Sequence, residues 1–123
     1  MTDISLVLFD LNGVLYRYDR DARIARLASV ARRSPAMVQT VIWDSGFEDS
    51  GDAGALDAIA YLRGFGACIG YDLSEAEWMA AQQLASTPSA AARVWRPRIR
   101  PTVRCGVLTN NNLLVLRHFR TLY

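Results

Sequence analysis

At 123 residues, about half of them hydrophobic, the chain is long enough for one domain with a core but stands at the small end for an α/β enzyme. Its start, Met1-Thr2-Asp3-Ile4, carries an acid where a secretory signal carries basic residues, and the apolar run from Leu6 to Phe9 is too short to span a bilayer; a soluble, cytoplasmic chain is expected. All fourteen basic residues are Arg: seven accompany the twelve acids in residues 1–92, and seven stand in residues 93–123 with no acid at all. Such a basic tail can attract phosphates or nucleic acid. Its arginines do not alternate with stacking aromatics and no nucleic-acid motif accompanies them, so nucleic acid is not an expected partner. The asymmetry is read instead as the acidic part of a longer fold being absent. Cys68 and Cys105 have neither metal-site pairing nor disulfide-scaffold density and read as two packed thiols.

The first element is Ile4-Ser5-Leu6-Val7-Leu8-Phe9, an apolar β-rich run suited to a strand buried on both faces, ending at Asp10-Leu11-Asn12-Gly13 with Gly13 supplying the turn. From Asp19 to about Arg33, Ile24, Leu27, Ala28 and Ala31 recur at helical spacing. Ser34-Pro35 starts another helix, a capping hydroxyl followed by proline at the first helical position, and Gly46 stops it. After the polar stretch Glu48 to Gly54, a third helical pattern runs from about Ala55 to Arg63 and ends in Gly64-Phe65-Gly66. Ser74-Glu75-Ala76-Glu77 is a capping box that opens a helix to about Ala85. Thr87-Pro88 breaks it, and Ala90 to Trp95 is one more short helix that Pro97 ends. Val103 to Leu108 is a second strand, followed by Thr109-Asn110-Asn111-Asn112 and a helix from Leu113 to Leu122. Two buried strands separated by some ninety residues of helix fit an α/β fold whose first crossover in a parallel sheet carries a helical insertion.

In open α/β sheets ligands gather beyond the carboxyl ends of the strands, and both polar clusters, Asp10 to Gly13 and Thr109 to Asn112, lie there. A carboxylate in that place can serve as nucleophile or metal ligand, and a threonine hydroxyl with nearby amides can hold phosphate oxygens. The remaining polar and aromatic residues have plainer readings. His118 is a surface or packed side chain, Glu75 and Glu77 are helix-start charges, and Trp43, Trp78 and Trp95 fall on helical stripes as packing residues.

Leu6-Val7-Leu8-Phe9-Asp10-Leu11-Asn12-Gly13-Val14-Leu15 resembles the first motif of the haloacid-dehalogenase (HAD) superfamily hydrolases, and Gly106-Val107-Leu108-Thr109-Asn110-Asn111 resembles the second. The helices between them, including Trp43-Asp44-Ser45-Gly46-Phe47-Glu48, are similar to the helical cap that one HAD class inserts after the first motif. The resemblance implies a partial Rossmannoid parallel sheet, with residues 1–15 and 100–123 as a discontinuous, incomplete core and 16–99 as the cap and its connection. It also implies catalytic roles for Asp10 as nucleophile and Thr109 as holder of the transferring group, with Asn110 and Gly13 shaping the phosphate site. Mg²⁺ would be ligated by Asp10 and the backbone carbonyl of Asn12, and the substrate would be a small phosphorylated metabolite.

Three departures qualify that implication. The family's phosphatases place an acid–base aspartate two residues after the nucleophile, where this chain has Asn12, and an amide cannot shuttle a proton. The third motif is a downstream Lys or Arg; the chain has no Lys, and Arg117 and Arg120 follow the second motif too closely. The fourth motif supplies metal-binding acids, and none follows Glu77. The expectation is therefore a truncated, impaired phosphatase with weak Mg²⁺ binding and an open sheet edge available for self-association. Asn12 motivates an alternative, a 2-haloacid dehalogenase, whose departing halide needs no proton, and the missing motifs motivate another, a non-catalytic fragment or binding module.

Overall fold

A computed structural model describes residues 3–123; Met1 and Thr2, and with them the first half of the leader reading, lie outside the described residues. The chain divides into two compact units, one running to Tyr18 and resuming at Ser86–Thr109, the other formed by Asp19–Ala85 and Asn110–Tyr123.

The first unit holds the strands. β1 (Leu6–Phe9) pairs in parallel with β4 (Arg104–Val107), with Leu6 opposite Arg104 and Phe9 opposite Val107, while β2 (Tyr16–Tyr18) pairs antiparallel with β3 (Ser86–Pro88). The parallel pair bears out the α/β expectation, although it makes a sheet of two strands. Burial of β1 on both faces is not what the structure shows: Leu6 and Leu8 are 46% and 53% exposed, because no further strand or helix covers that face among the described residues. The β2–β3 pairing was not anticipated, since Thr87-Pro88 reads as a breaker. Pro88 is accommodated at the end of an edge strand, where its missing N–H costs no ladder bond. The unit also carries α6 (Ala90–Trp95), capped by the Ser89 hydroxyl accepting from the Ala91 amide. Two packing expectations fail here: Cys105 is an exposed free thiol, and Trp95 is 57% exposed.

The second unit holds the core. α1 (Arg20–Ala31) and α5 (Glu75–Ala85) pack against each other, and α4 (Ala58–Ile69) brings in Tyr61, Phe65 and Ile69. Local chemistry sets the helix starts: the Asp19 carboxylate accepts from Ala22 N at 3.0 Å, Asp57 from Ala60 N at 2.8 Å, and Ser74 and Glu77 close the capping box at 2.9–3.2 Å. α2 (Pro35–Val38) begins at Ser34 as expected and continues as a π-helical turn, Gln39–Asp44. Two boundaries differ. Glu48 to Gly54 is not simply a polar stretch, because Phe47–Asp52 forms α3. α4 also runs through Gly64 and Gly66, which are there for close approach: a Cβ on Gly64 would meet the Phe47 ring at 2.9 Å, and one on Gly66 the Tyr71 carbonyl at 2.6 Å. The tail helix is divided at His118 into α7 (Leu113–Arg117) and α8 (Phe119–Leu122). Leu114, Val115 and Leu122 join the core of this unit, so Asn110–Tyr123 groups with the helices, whereas residues 86–99 group with the strands.

Candidate active site

β1 and β4 run side by side in the same direction, and the ladder extends one step beyond them, where Leu108 N donates to Phe9 O at 2.9 Å. Asp10 and Thr109 are thus the first polar residues past the carboxyl ends of two adjacent parallel strands, the place where α/β sheets present chemistry. Asp10 is exposed, and its Oδ1 accepts from the Leu11 amide at 2.7 Å. This bond orients the carboxylate and leaves Oδ2 as the second oxygen. Thr109 is half-buried.

The turn after Asp10 is held by the backbone. The Leu11 carbonyl accepts from the amides of Leu15 and Tyr16 at 3.0 and 2.9 Å, and Gly13 N donates to Tyr16 O at 2.7 Å. Gly13 sits at φ +88°, a conformation that a side chain would strain. Asn12 is half-buried, and its Oδ1 is a buried acceptor with no hydrogen-bond partner. Asn110 is exposed and belongs to the other unit.

No group of three or more His, Cys, Asp or Glu side chains able to hold a metal ion occurs among the described residues. Mg²⁺ is commonly bound by one or two carboxylates, with phosphate oxygens and waters completing its shell. Asp10 is the one carboxylate at these strand ends, and Asn12 adds neutral oxygens, so the donor set meets the lower limit for an ion shared with a phosphate.

A cleft of about 550 Å³ opens within the strand unit, lined by Phe9, Tyr16, Pro88 and Val107, with Arg93 and Arg96 as the charged residues among the described ones. None of Asp10, Asn12, Gly13 or Thr109 lines it.

The strand order, the parallel register and the helical insertion between the two strands can be compared with solved structures. A HAD family enzyme of Bacteroides thetaiotaomicron, crystallised with magnesium and inorganic phosphate, superposes with a TM-score of 0.73 at 18% identity, covering 94% of this chain and 58% of that one. The chain has a HAD-like fold. A protein of Porphyromonas gingivalis described as a predicted HAD-like family hydrolase gives 0.71 at 24% identity, over 93% and 55% of the two chains. The magnesium complex of the Bacteroides enzyme gives 0.67 at 19% identity, over 94% and 56%. The chain thus spans somewhat more than half the length of these HAD structures. No protein-family model matches the sequence, and no curated protein does.

Within this HAD-like fold, sequence reasoning named Asn112 in its polar cluster but did not find what holds it. Asn112 is buried, its side chain accepts from Val115 N at 3.0 Å as the cap of α7, and its own amide donates to Asp52 Oδ1 at 3.0 Å. Asn-x-x before an apolar run is a legible cap. Its partner, sixty residues earlier, leaves no local signal. The other polar residues have structural roles. Glu75 is hydrogen-bonded to His118, with Arg117 3.9 Å away, and this holds its carboxyl below the usual range. No helix among the described residues is long and apolar enough to cross a membrane.

Proposed function

We propose that the chain is a HAD-like hydrolase of the capped class, acting on a small phosphorylated metabolite through an aspartyl phosphate on Asp10. The observation that supports this reading is the parallel pairing of β1 with β4, past whose carboxyl ends Asp10 and Thr109 are the first polar residues. Solved structures of this fold holding magnesium and inorganic phosphate support the class of ligand.

In this reading the free carboxylate oxygen of Asp10 attacks phosphorus in line. A P–O bond forms to Asp10, the ester P–O bond breaks, and the leaving alkoxide takes its proton from water, since Asn12 has none to give. Water then attacks phosphorus, returning the Asp10 carboxylate and inorganic phosphate. Thr109 and the Gly13 turn would hold the phosphoryl oxygens. Mg²⁺, held by Asp10 and the Asn12 carbonyl, would neutralise charge on the phosphate. Loss of an acid–base group costs roughly 10²–10⁴-fold, so the rate is expected to be low. The assay is hydrolysis of an aryl phosphate with Mg²⁺ by the chain and by Asp10→Asn. Turnover that survives the substitution sinks the reading.

Asn12 specifically favours a second reading, a 2-haloacid dehalogenase, in which Asp10 displaces halide from carbon and no leaving group needs a proton. Chloride release from a 2-chloroacid without Mg²⁺, lost in Asp10→Asn, would select it.

A further inference from the structure

α3 places Glu48 and Asp52 one turn apart on the same helix face, within the helical unit. Glu48 is occupied: its two oxygens accept from Arg23 Nη1 at 2.5 Å and the Tyr61 hydroxyl at 2.6 Å. Asp52 points elsewhere. Its Oδ1 accepts the Asn112 backbone amide at 3.0 Å. Gly51, beside Asp52, lets the Tyr61 ring pack closely on α3, since a Cβ there would lie 2.6 Å from that ring. Asn112 is three residues beyond Thr109, and its own side chain caps α7.

We propose that Asp52 is a positioning residue, whose carboxylate clamps Asn112 and thereby fixes residues 110–112 at the start of α7, all within the helical unit.

The charges facing Asp52 make the clamp costly. Burial, and then Glu48 on the same helix, raise its pKa to about 6, while Arg23 from α1 and hydrogen bonding from Asn112 lower it less than these raise it. A carboxylate kept ionised at neutral pH against that penalty weakens the fold, whereas an ordinary packing residue strengthens it. The two roles therefore predict opposite stability changes on neutralisation.

The test uses the full chain, with Asp52→Asn and Asp52→Ala, and reads amide hydrogen exchange residue by residue at about pH 7.5. The expected result is that Asp52→Ala raises exchange of the Asn112 amide about tenfold to hundredfold, the range for losing a hydrogen bond to a charged acceptor. Amides of Leu27 and Ala28 in α1, the internal reference, should stay unchanged. Asp52→Asn, which keeps an oxygen acceptor, should restore part of the protection while its thermal midpoint equals or exceeds that of the parent chain. In the parent chain the Asn112 amide resonance should titrate with a midpoint near that of Asp52, and in Asp52→Asn it should be flat. These readouts do not need turnover, so they stand apart from the proposed reaction. Unchanged Asn112 exchange in Asp52→Ala overturns the clamp. If Asp52→Ala does not fold, Asp52→Asn decides alone: a lowered midpoint with protection lost equally at α1 makes Asp52 a packing residue and overturns the proposal.

Discussion

Arg23 and Glu48 form a salt bridge, Nη1 to Oε1 at 2.5 Å, with their side chains only 2% and 8% exposed. The guanidinium carbon also lies 5.4, 5.7 and 5.3 Å from the ring centres of Trp43, Phe65 and Trp78. The rings and the carboxylate together replace the water that Arg23 gives up on burial.

The first prediction follows from that pair. Removing one partner leaves a buried, uncompensated charge, which costs about 3–5 kcal/mol. Arg23→Ala should therefore destabilise the helical unit by about that amount in urea unfolding followed by circular dichroism. Arg23→Met with Glu48→Leu should recover most of it. Arg23→Lys should also be poorly tolerated, because an ammonium lacks the forked donors that reach Glu48 and Tyr61 from Nη1 and Nη2.

Gly51 carries the second. Alanine there brings its Cβ to 2.6 Å from the Tyr61 ring, which is held in place by hydrogen bonds to Glu48 and Arg23. Overpacking of this kind costs about 1–3 kcal/mol. Gly13→Ala, at φ +88° with open space around it, should instead show only the backbone penalty of about 1–2 kcal/mol for a side chain in the left-handed region.

The third concerns pH. Asp52 has a folded pKa of about 6 against an ordinary 3.8, so its protonated form is the one the fold favours. The contribution it makes to stability is fully present below 3.8 and is lost as pH rises through about 6. Glu75 runs the other way: its pKa is lowered by the hydrogen bond to His118, so its contribution is present above the ordinary value and lost in acid. Denaturation midpoints should show Asp52→Asn gaining on the parent chain at about pH 7.5 and losing that advantage near pH 4. An equal offset at both pH values would contradict the assignment.

The fourth concerns the uncovered face of the strand pair. Ile4, Leu6, Leu8 and Leu108 are 71%, 46%, 53% and 68% exposed. Adjacent exposed apolar groups of this kind promote association. Sedimentation velocity should show self-association that grows with concentration and is reduced by Leu8→Lys, with less than about 0.5 kcal/mol lost in stability because Leu8 is a surface residue.

How much of this was legible in the sequence depends on the range of each interaction. Ser34 and Ser74 act over three residues, and the helices they open begin where the sequence says. Asp10 and Thr109 stand out in the sequence because each closes an apolar run, and the parallel pairing of β1 with β4 puts both at the carboxyl ends of neighbouring strands. α3 was not, since Phe47–Asp52 contains a glycine and three acids and is held by packing against Tyr61 from another helix. The glycines of α4 misled for a related reason: Gly64 and Gly66 read as a stop, but their value lies in what they let approach. Nor can the Asp52–Asn112 bond, across sixty positions, be read from either end.

Asn12 supplies a prediction about rate. If the missing proton carrier limits turnover, Asn12→Asp should raise aryl phosphate hydrolysis by roughly 10²–10⁴-fold. It would place a carboxylate where a buried, unpartnered amide oxygen now sits. No gain would mean that proton transfer is not what limits this site.

The central claim is that Asp10 is the nucleophile, and trapping its acyl phosphate tests this most directly. The chain is incubated with an aryl phosphate and Mg²⁺, then reduced with borohydride, which converts an aspartyl phosphate to homoserine, and the peptide spanning residue 10 is sequenced by mass spectrometry. With Asn12 unable to speed hydrolysis of the intermediate, homoserine is expected at position 10 and nowhere else, and Asp10→Asn should abolish it. Homoserine at another aspartate, or aryl phosphate turnover that persists in Asp10→Asn, would contradict the account.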